Sequence, residues 1–317
     1  MESQLINYRK AAQVHINIRQ KLKSFLKPGI LLIDICEFIE KNIKKELYNE
    51  LNNGIAFPVG VSLNNIAAHW TPQENDKTIL KENDVLKIDY GTHINGNIID
   101  SAFTYTHTHK YDKLLESSKE AVYNVIKNIG VDSRICELGA ISEEIIKSYE
   151  LEIDNKMVPL LPINNIHGHS IEPWKIHGNK FIKNIKNSDN TKIEENDILA
   201  IEAYVTTGSG TTIMDKSSSH FMLKPIFNIN NLNNIKFKRT KDLYKFIKNN
   251  FKTLPFTQRY INIKHIEPCL TELFNNNVIN SYPPLVDPIK NSLVAQYEHT
   301  IRVSESNIEV FTKADDY

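Results

Sequence analysis

Two aspartates lie on the arms of one predicted β-hairpin. The run VLKIDYGTHINGNIIDSAFTYT, residues 85–106, is rich in β-branched and aromatic residues around Asn95-Gly96, a dipeptide that suits the positive φ angles of a two-residue type I′ turn. Asp89 lies on the first arm and Asp100 on the second, although acidic residues are disfavoured in strands. Any fold that buries this hairpin has to accommodate two carboxyl groups.

The turn fixes which residues face each other. With a two-residue turn, Gly91 pairs with Asp100. Asp89 then pairs with Ala102. Because side chains alternate between the two faces of a strand, Asp89 and Asp100 lie on the same face as diagonal neighbours, about 7–8 Å apart. A one-residue bulge would place them on opposite faces, so this prediction depends on the register.

A positive group is expected between the two aspartates. Like charges on a mostly buried sheet repel each other, and burying even one is costly. A divalent cation would fit, and so would a basic side chain, for which Lys87 is the candidate in this strand and on this face. The alternative is that both aspartates lie on a solvated face, which is the more common arrangement for an arbitrary hairpin.

Further carboxylates in apolar strands favour the cation. Glu202 lies inside ILAIEAYV and Glu298 inside LVAQYEHTI, while His169 in IHGHS follows Gly168, where glycine allows a close backbone approach. Four carboxylates and one imidazole suit two hard or borderline divalent ions with bridging carboxylates. Two metals about 3.5–4 Å apart can share a bridging water and deliver hydroxide to a carbonyl. The sequence therefore predicts metal-assisted hydrolysis.

Composition excludes several other classes of protein. The 38 Lys+Arg balance the 38 Asp+Glu in 317 residues, so no net charge favours nucleic acid or an acidic membrane as a partner. Three widely spaced cysteines predict neither a disulfide framework nor a cysteine zinc site. The chain opens without a signal-peptide pattern, and its longest apolar run, GILLIDI, is too short to span a bilayer. We expect a cytoplasmic protein with no membrane and no specific nucleic acid as partners.

Helical and strand patterns occur twice along the chain. In chain order, the predicted elements are helices at 3–26 and 31–46, short strands at 55–106, helices at 112–128 and 139–151, and strands at 157–225. Helices followed by strands, repeated, predict an α+β architecture with two similar halves. Residues 226–290 differ, because an Asn-rich stretch leads into two helical runs and then YPPL. We predict an inserted subdomain there.

Several motifs resemble those of type 2 methionine aminopeptidases. They are, in order through nearly the whole chain, FPVGVSLNNIAAHWTP, DYGTHINGNIIDSAFT, GHSIEPWKIH, IEAYVTTGSG, YPPL, AQYEHTI and the terminal DDY. Creatinases, proline dipeptidases and type 1 aminopeptidases share the pita-bread fold of this family, but type 1 enzymes lack an insertion like 226–290. The resemblance implies a pita-bread catalytic domain formed by 1–225 and 291–317, with 226–290 as the helical insertion subdomain typical of type 2 enzymes.

The same resemblance implies a set of metal ligands. Asp89 would bind one ion, and Asp100 and Glu298 would bridge two. His169 and Glu202 would complete the second ion, with Glu202 also the proton acceptor from the metal-bound water. The cofactors implied are two divalent metal ions per chain, and the sequence leaves Mn, Fe, Co and Zn open because availability as well as affinity selects among them.

The resemblance also implies which side chains bind the substrate. His69 would contact the N-terminal amine and stabilise the reaction centre, and His177 would touch the peptide beyond the scissile bond. Phe57, Ile176 and His220 match the lining of the methionine pocket. Because His69 would be unligated and face the reaction centre, fumagillin-type inhibitors are expected to bind and to alkylate it.

Other residues have less defined expectations. His167 stands where relatives usually have Asn or another small polar residue, so it either tunes the second metal or is an ordinary loop residue. Leu293 stands near a position where many relatives carry Tyr in the substrate pocket. His93 is expected on the face away from the aspartates, and His107 and His109 on the surface.

The resemblance predicts an enzyme that removes the initiator methionine from nascent proteins whose second residue is small. A monomer is typical of the family, and proximity to ribosomes is open. One alternative is an inactive pita-bread homologue that binds RNA or protein, which the full set of ligands and His69 argue against. A proline-specific dipeptidase is the alternative among enzymes, and the type 2 motifs disfavour it.

Overall fold

The computed structural model describes residues 2–48, 52–225 and 229–315. The α-helices are α1 (Glu2–Phe25), α2 (Leu32–Leu47), α3 (Asp112–Asn128), α4 (Ile135–Lys147), α5 (Lys238–Asn250) and α6 (Glu267–Asn275). Short 3-10 helices lie at His109–Tyr111, Ile229–Asn234 and Gln258–Tyr260. The helices predicted at 3–26, 31–46 and 112–128 are confirmed to within one residue at each end.

The strands lie between and after these helices. They are β1 (Asn53–Leu63), β2 (Ile66–Ala68), β3 (Leu86–Ile94), β4 (Asn97–Tyr105), β5 (Glu150–Ile153), β6 (Lys156–Pro159), β7 (Leu161–Pro162), β8 (His167–Ser170), β9 (Phe181–Lys183), β10 (Ile198–Thr206), β11 (Ile213–Met214), β12 (His220–Leu223), β13 (Ile279–Tyr282), β14 (Leu285–Val286), β15 (Val294–Val303) and β16 (Ile308–Val310).

The first sheet contains the hairpin with the two aspartates. Its strands run in the order β1-β3-β4, and within it Gly91 pairs with Asp100, which confirms the predicted register. Asn95 and Gly96 have φ angles of 51° and 80°, as a type I′ turn requires. Helices α1 and α2 pack on this sheet through one apolar core, so the aspartates point to the face opposite the helices.

The second sheet repeats this arrangement. Its strands run in the order β16-β15-β10-β8-β9, and β7 also pairs with β10. Helices α3 and α4 pack on it through a second apolar core that includes Leu199 and Ile201 of β10. Because strand side chains alternate, Glu202 points to the other face. The predicted α+β architecture with two similar halves is confirmed.

Hydrogen bonds from hydroxyl groups join β4 to β15, and we call this junction the seam. The Asp100 N–H donates to Thr300 Oγ1 at 2.8 Å, and the same hydroxyl donates to the Asp100 carbonyl at 2.6 Å. Ser101 Oγ donates to the Glu298 carbonyl at 2.7 Å. The seam therefore joins the two sheets side by side and brings Asp100 next to Glu298.

The fourth helix differs from its prediction. The expected range of 139–151 is wrong at both ends, because α4 spans Ile135–Lys147. Its first turn is capped by the Glu137 carboxylate, which accepts a backbone N–H at 3.3 Å. The residues after it pair as the β5–β6 hairpin about Asp154-Asn155, both of positive φ. The tight turn at these two residues makes the residues before it pair as a strand, so the helix ends earlier than its hydrophobic periodicity predicts.

Residues from the predicted insertion have an apolar core of their own. Leu243 and Ile247 of α5 pack with Leu270 and Leu273 of α6, and β12 and β13 close the same core. This grouping is consistent with a subdomain, whose boundaries at 226–290 stay a prediction. The last two residues of the DDY motif lie outside the described residues. No helix in the described ranges combines the length and the apolar character that crossing a membrane requires.

We predict that Gly91→Ala lowers the free energy of unfolding by about 1–3 kcal/mol, because an added Cβ would lie 2.3 Å from Phe57 Cε1 and 2.9 Å from Ala56 Cβ. Gly130→Ala is the matched control, since its added Cβ would meet nothing within 4 Å. Urea unfolding of both variants measures the difference. Equal midpoints for the two variants would contradict the packing argument.

Candidate metal centre and its cavity

Four carboxyl groups and one imidazole line a single cavity of about 280 Å³ at the seam. They are the residues singled out in the sequence: Asp89, Asp100, His169, Glu202 and Glu298. Asp100 is 5 % exposed and Glu298 is 1 % exposed. The alternative of a solvated face for both aspartates is therefore wrong.

Strand pairing in both sheets places these side chains. Asp89 and Asp100 come from the β3–β4 hairpin, and Glu202 on β10 pairs directly with Glu298 on β15. Like charges directly opposite each other destabilise a sheet, so this pair needs compensation. His169 on β8 pairs with Ala200 of β10. A Cβ on Gly168 would lie 2.5 Å from the Ala200 carbonyl oxygen, which confirms that this glycine permits the close approach.

The ligand atoms are close enough to share a cation. Single donor atoms of Asp100, His169 and Glu298 lie within 4.8 Å of one another, and His169 Nε2 lies 3.6 Å from Asp100 Oδ2. Gln296 links the other two acids, because its Nε2 donates to Glu202 Oε2 at 3.1 Å and to Asp89 Oδ2 at 3.3 Å. The sequence analysis missed Gln296, although the period of two places it on the face of Glu298.

Ionisation of all four carboxyl groups is unfavourable in this cavity. Burial raises the pKa of Asp89 to about 7. Burial, and then repulsion by Asp89, raises the pKa of Glu202 to about 8. The pKa values of Asp100 and Glu298 are raised well above the ordinary range by burial first and by the neighbouring carboxylates second. The cluster therefore favours protons or cations.

The basic side chain of the hairpin does not supply that positive charge. Lys87 Nζ donates to the Asn64 carbonyl at 2.7 Å and to the Val85 carbonyl at 3.4 Å. Oδ1 of Asp89 and Oδ1 of Asp100 are buried without a hydrogen-bond partner in the described part of the chain. Orphaned carboxylate oxygens beside an imidazole are a donor set that fits hard or borderline divalent ions.

Three more histidines surround the acids. His69, His177 and His220 line the same cavity. The rings of His177 and His169 meet at right angles with centroids 4.4 Å apart, and those of His69 and His220 are 5.8 Å apart. Burial lowers the pKa of His69 and His177 to about 4 and that of His220 to about 3. All three rings are therefore neutral at physiological pH.

The rest of the wall is mostly apolar. Phe57 and Ile176, both predicted to line the methionine pocket, line this cavity. Residues that line it and that the sequence analysis did not single out are Pro58, Gly60, Asn165, Ile166, Phe181, Tyr204, Met222, Pro255, Tyr282 and Leu285. Many lie on short strands or loops that carry no regular hydrophobic pattern, so the sequence offered no signal for them. The ten predicted site residues come together, while their individual roles stay predictions.

The structure gives different positions for His167, Leu293 and His93. His167 lines the cavity, with its ring centroid 5.8 Å from that of Phe181. Leu293 packs instead in the core under α3 and α4. The expectation for His93 is wrong, because the period of two puts it on the face of Asp89. There its ring packs on Trp174, with centroids 5.2 Å apart.

Divalent cations should stabilise the protein through this cluster. With Mn²⁺ at about 100 times its dissociation constant, the free energy of unfolding should rise by about 2.7 kcal/mol, and Asp100→Asn should abolish the rise. In EDTA the same variant should be at least as stable as the wild type, because Asn keeps the size of the side chain and removes the cost of keeping a buried carboxyl group protonated. Thermal unfolding of Asp112→Asn, whose carboxylate is 58 % exposed, is the control. A rise that survives in Asp100→Asn would rule out this site.

In EDTA, the stability should also fall as the pH rises from about 7 to about 8.5. A carboxyl group with a raised folded-state pKa contributes stability that is lost as pH climbs through that pKa, and Asp89 and Glu202 titrate at about 7 and about 8. The buried histidines are half-protonated in the unfolded chain at their ordinary value of 6.5 and give the opposite slope around that pH, so the fall is measured above it. Urea unfolding should show a shallower dependence for Glu202→Gln, and equal slopes would refute this origin.

Comparison with known proteins identifies the family of the chain. The profile of Metallopeptidase family M24 matches residues 7–227. Methionine aminopeptidase 2A of Arabidopsis thaliana is 42% identical over 314 residues, which cover 98% of this chain and 70% of that protein. Methionine aminopeptidase 2 of Dictyostelium discoideum is 42% identical over 315 residues, with coverage of 98% and 70%.

Solved structures share the fold at low identity. A thermophilic Arx1 superposes with a TM-score of 0.82 at 18% identity, covering 100% of this chain and 92% of that one. A methionine aminopeptidase from Thermotoga maritima has a TM-score of 0.68 at 18% identity, with coverage of 99% and 98%. A prolidase from Pyrococcus furiosus has a TM-score of 0.58 at 14% identity, with coverage of 99% and 65%. The pita-bread fold expected from the sequence is confirmed, and the chain belongs to metallopeptidase family M24.

Proposed function

We propose that this protein is a type 2 methionine aminopeptidase that removes the initiator methionine from nascent proteins with a small second residue. The observation that carries the proposal is one cavity that holds four carboxyl groups, His169 and the neutral imidazoles of His69 and His177. The relatives named methionine aminopeptidase 2, at 42% identity over nearly the whole chain, support the same activity.

Five residues would hold the two divalent ions. Asp89 would bind one ion, His169 and Glu202 the other, and Asp100 and Glu298 would bridge them. The ions, when bound, supply Lewis-acid activation of a water molecule and of the peptide carbonyl. The donor set of oxygens and one imidazole leaves Mn, Fe, Co and Zn open.

Glu202 is the residue that would move the proton. Its Oε2 accepts from Gln296, and the carboxylate also has a hydrogen bond with the Tyr204 side chain. These contacts orient the carboxylate, which would take a proton from the attacking water. Glu202 would then deliver that proton to the leaving amine as the peptide bond breaks. Desolvation raises the proton affinity of this carboxylate, and a bound cation would lower it again.

The imidazoles would hold the peptide on either side of the bond. His69 is neutral, so its ring can bind the substrate α-amine and the developing charge at the reaction centre without repelling the ions. His177, whose ring meets that of His169 edge to face, would contact the peptide beyond the scissile bond. Requiring a free amine at this position limits the reaction to one residue per chain.

The apolar wall would select methionine. Phe57, Ile176 and His220 line the cavity, and an unbranched, polarisable thioether would fit a pocket formed by them. A cavity of about 280 Å³ that must also hold the next residue leaves little room for a large second side chain. This restriction accounts for the proposed preference for small second residues.

The alternatives have weaker support. An inactive binding module would not require a complete donor set with orphaned carboxylate oxygens, and the likeness to Arx1 at 18% identity concerns the fold alone. A proline dipeptidase shares the fold at 14% identity, whereas the sequence relatives at 42% identity are methionine aminopeptidases. A monomer, a cytoplasmic location and proximity to ribosomes stay predictions.

The activity is tested with purified protein and added Mn²⁺ or Co²⁺. We expect methionine to be released from Met-Ala-Ser, with no cleavage of proline dipeptides. Asp100→Ala and Glu298→Ala should each abolish both the activity and the binding of the metal pair, because each removes a bridge. Quantified free methionine and bound metal per chain measure these effects. Release of proline with no release of methionine would favour the dipeptidase instead.

A fumagillin-type spiro-epoxide should alkylate His69. With a pKa lowered to about 4 by burial, the ring is neutral and nucleophilic at pH 7, and binding in the methionine pocket would hold the epoxide next to it. Peptide mass mapping should place the adduct on His69, and His69→Asn should keep the fold but resist modification. An adduct on His177 or His220 would show that the reactive histidine is assigned wrongly.

A further inference from the structure

One segment of the chain contacts the residues that flank His69, His177 and His220. We call residues 252–260 the strap; they follow α5 and end in the 3-10 helix Gln258–Tyr260. Pro255, in the middle of the strap, lines the cavity itself. The strap therefore runs between the apolar core of α5 and α6 and the proposed reaction centre.

Arg259 holds the segment that follows His69. Its guanidinium forms two 2.8 Å hydrogen bonds to the Glu40 carboxylate, in a buried pair whose side chains are 6 % and 7 % exposed. The same group donates to Thr71 Oγ1 at 3.0 Å and to the Pro72 carbonyl at 2.9 Å. Arg259 thus fixes the two residues that lie two and three positions after His69 to helix α2.

His69 depends on such support. Its φ is +62°, a left-handed conformation that a side chain other than glycine keeps only where its surroundings enforce it. Its carbonyl accepts a hydrogen bond from Ser219 Oγ at 3.0 Å, and its ring bonds to the Pro283 carbonyl. After His69, the Trp70 carbonyl accepts from the Val61 N–H at 3.0 Å and the Thr71 N–H donates to Ser219 Oγ at 3.4 Å. The Arg259 contacts to Thr71 and Pro72 add the link from this segment to helix α2.

The beginning and middle of the strap hold the other two histidine segments. Thr253 Oγ1 donates to the Trp174 carbonyl, and Lys252 Nζ lies 3.7 Å from the centroid of the Trp174 ring, three residues before His177. Phe256 and Phe221 exchange both backbone hydrogen bonds, at 2.7 and 2.8 Å. Phe221 directly follows His220.

We propose that the strap is a positioning element that sets the places of His69, His177 and His220 around the cavity, with Arg259 as the residue that fixes His69. The inference rests on the proposed function, and it gives the predicted insertion a role in the reaction. Because a displacement of about 1 Å at a reacting group can cost about 100-fold in rate, loss of the Arg259 contacts should appear mainly in kcat.

Chemical rescue tests Arg259. A second cavity, of about 590 Å³, is lined by Arg259, Thr71 and Ser219, so a small cation can reach the space that Arg259→Ala would leave. We expect this variant to lower kcat for Met-Ala-Ser by about 10- to 100-fold with KM nearly unchanged. Guanidinium chloride, far below unfolding concentrations, should restore several-fold of that loss, and the same concentration of sodium chloride should not.

Two variants separate positioning from general destabilisation. Arg302→Ala removes a half-buried arginine that bonds to Asn196 at 2.7 Å, away from the cavity, and should leave kcat unchanged and insensitive to guanidinium. Thr71→Val keeps the pair of Arg259 with Glu40 and removes one anchor, so it should lower kcat with a smaller fall in Tm than Arg259→Ala causes. If Arg259→Ala fails to fold, the kcat of Thr71→Val still tests the positioning role.

The other end of the strap should have a different kinetic signature. Thr253→Val loosens the segment that carries Ile176 and His177, so KM should rise more than kcat falls. If wild-type protein releases no methionine from Met-Ala-Ser, the proposed function fails. If the wild type is active but Arg259→Ala and Thr71→Val keep its kcat, or if guanidinium restores nothing, the positioning role of the strap is overturned.

Discussion

The burial of like charges in one cavity is the constraint on which the architecture depends. Glu202 and Glu298 are direct cross-strand partners, and Asp100 lies beside them across the seam. Burial raises the pKa values of all four acids. A core of neutral side chains would not have this cost. The folded protein therefore contains repulsion between buried carboxylates, and binding of protons or cations reduces it. This is expected of a cation-binding site and not of an ordinary core.

The seam explains why the site has its particular composition. The two sheets join through the side-chain hydroxyls of Thr300 and Ser101. The acids of the same strands, Asp100 and Glu298, line the cavity at this junction. Each half contributes acids from its own strands, while its helices cover the opposite face. The candidate metal centre is thus a property of the junction, because its donors come from both halves.

Local signals predicted the parts of this structure that local interactions determine. Asn95-Gly96 fixed the hairpin register, and the isolated acids in apolar strands identified the candidate ligands. Gln296, Met222 and Tyr282 were missed, because their positions depend on which strands become neighbours. The range of α4 was wrong, because a hairpin after it competes for residues with helical periodicity. The face of His93 was misjudged, although the period of two was sufficient to place it.

The seam also has a consequence for how the molecule forms. Asp100 and its partner Thr300 are separated by about 200 positions in the chain, and contacts of such long range close late because loop closure must be compensated before they add stability. During vectorial synthesis the hairpin emerges well before β15 exists. The donor set is therefore complete only once the last long strand has docked, and a cation that needs all of these donors would bind at the end of folding rather than at its beginning.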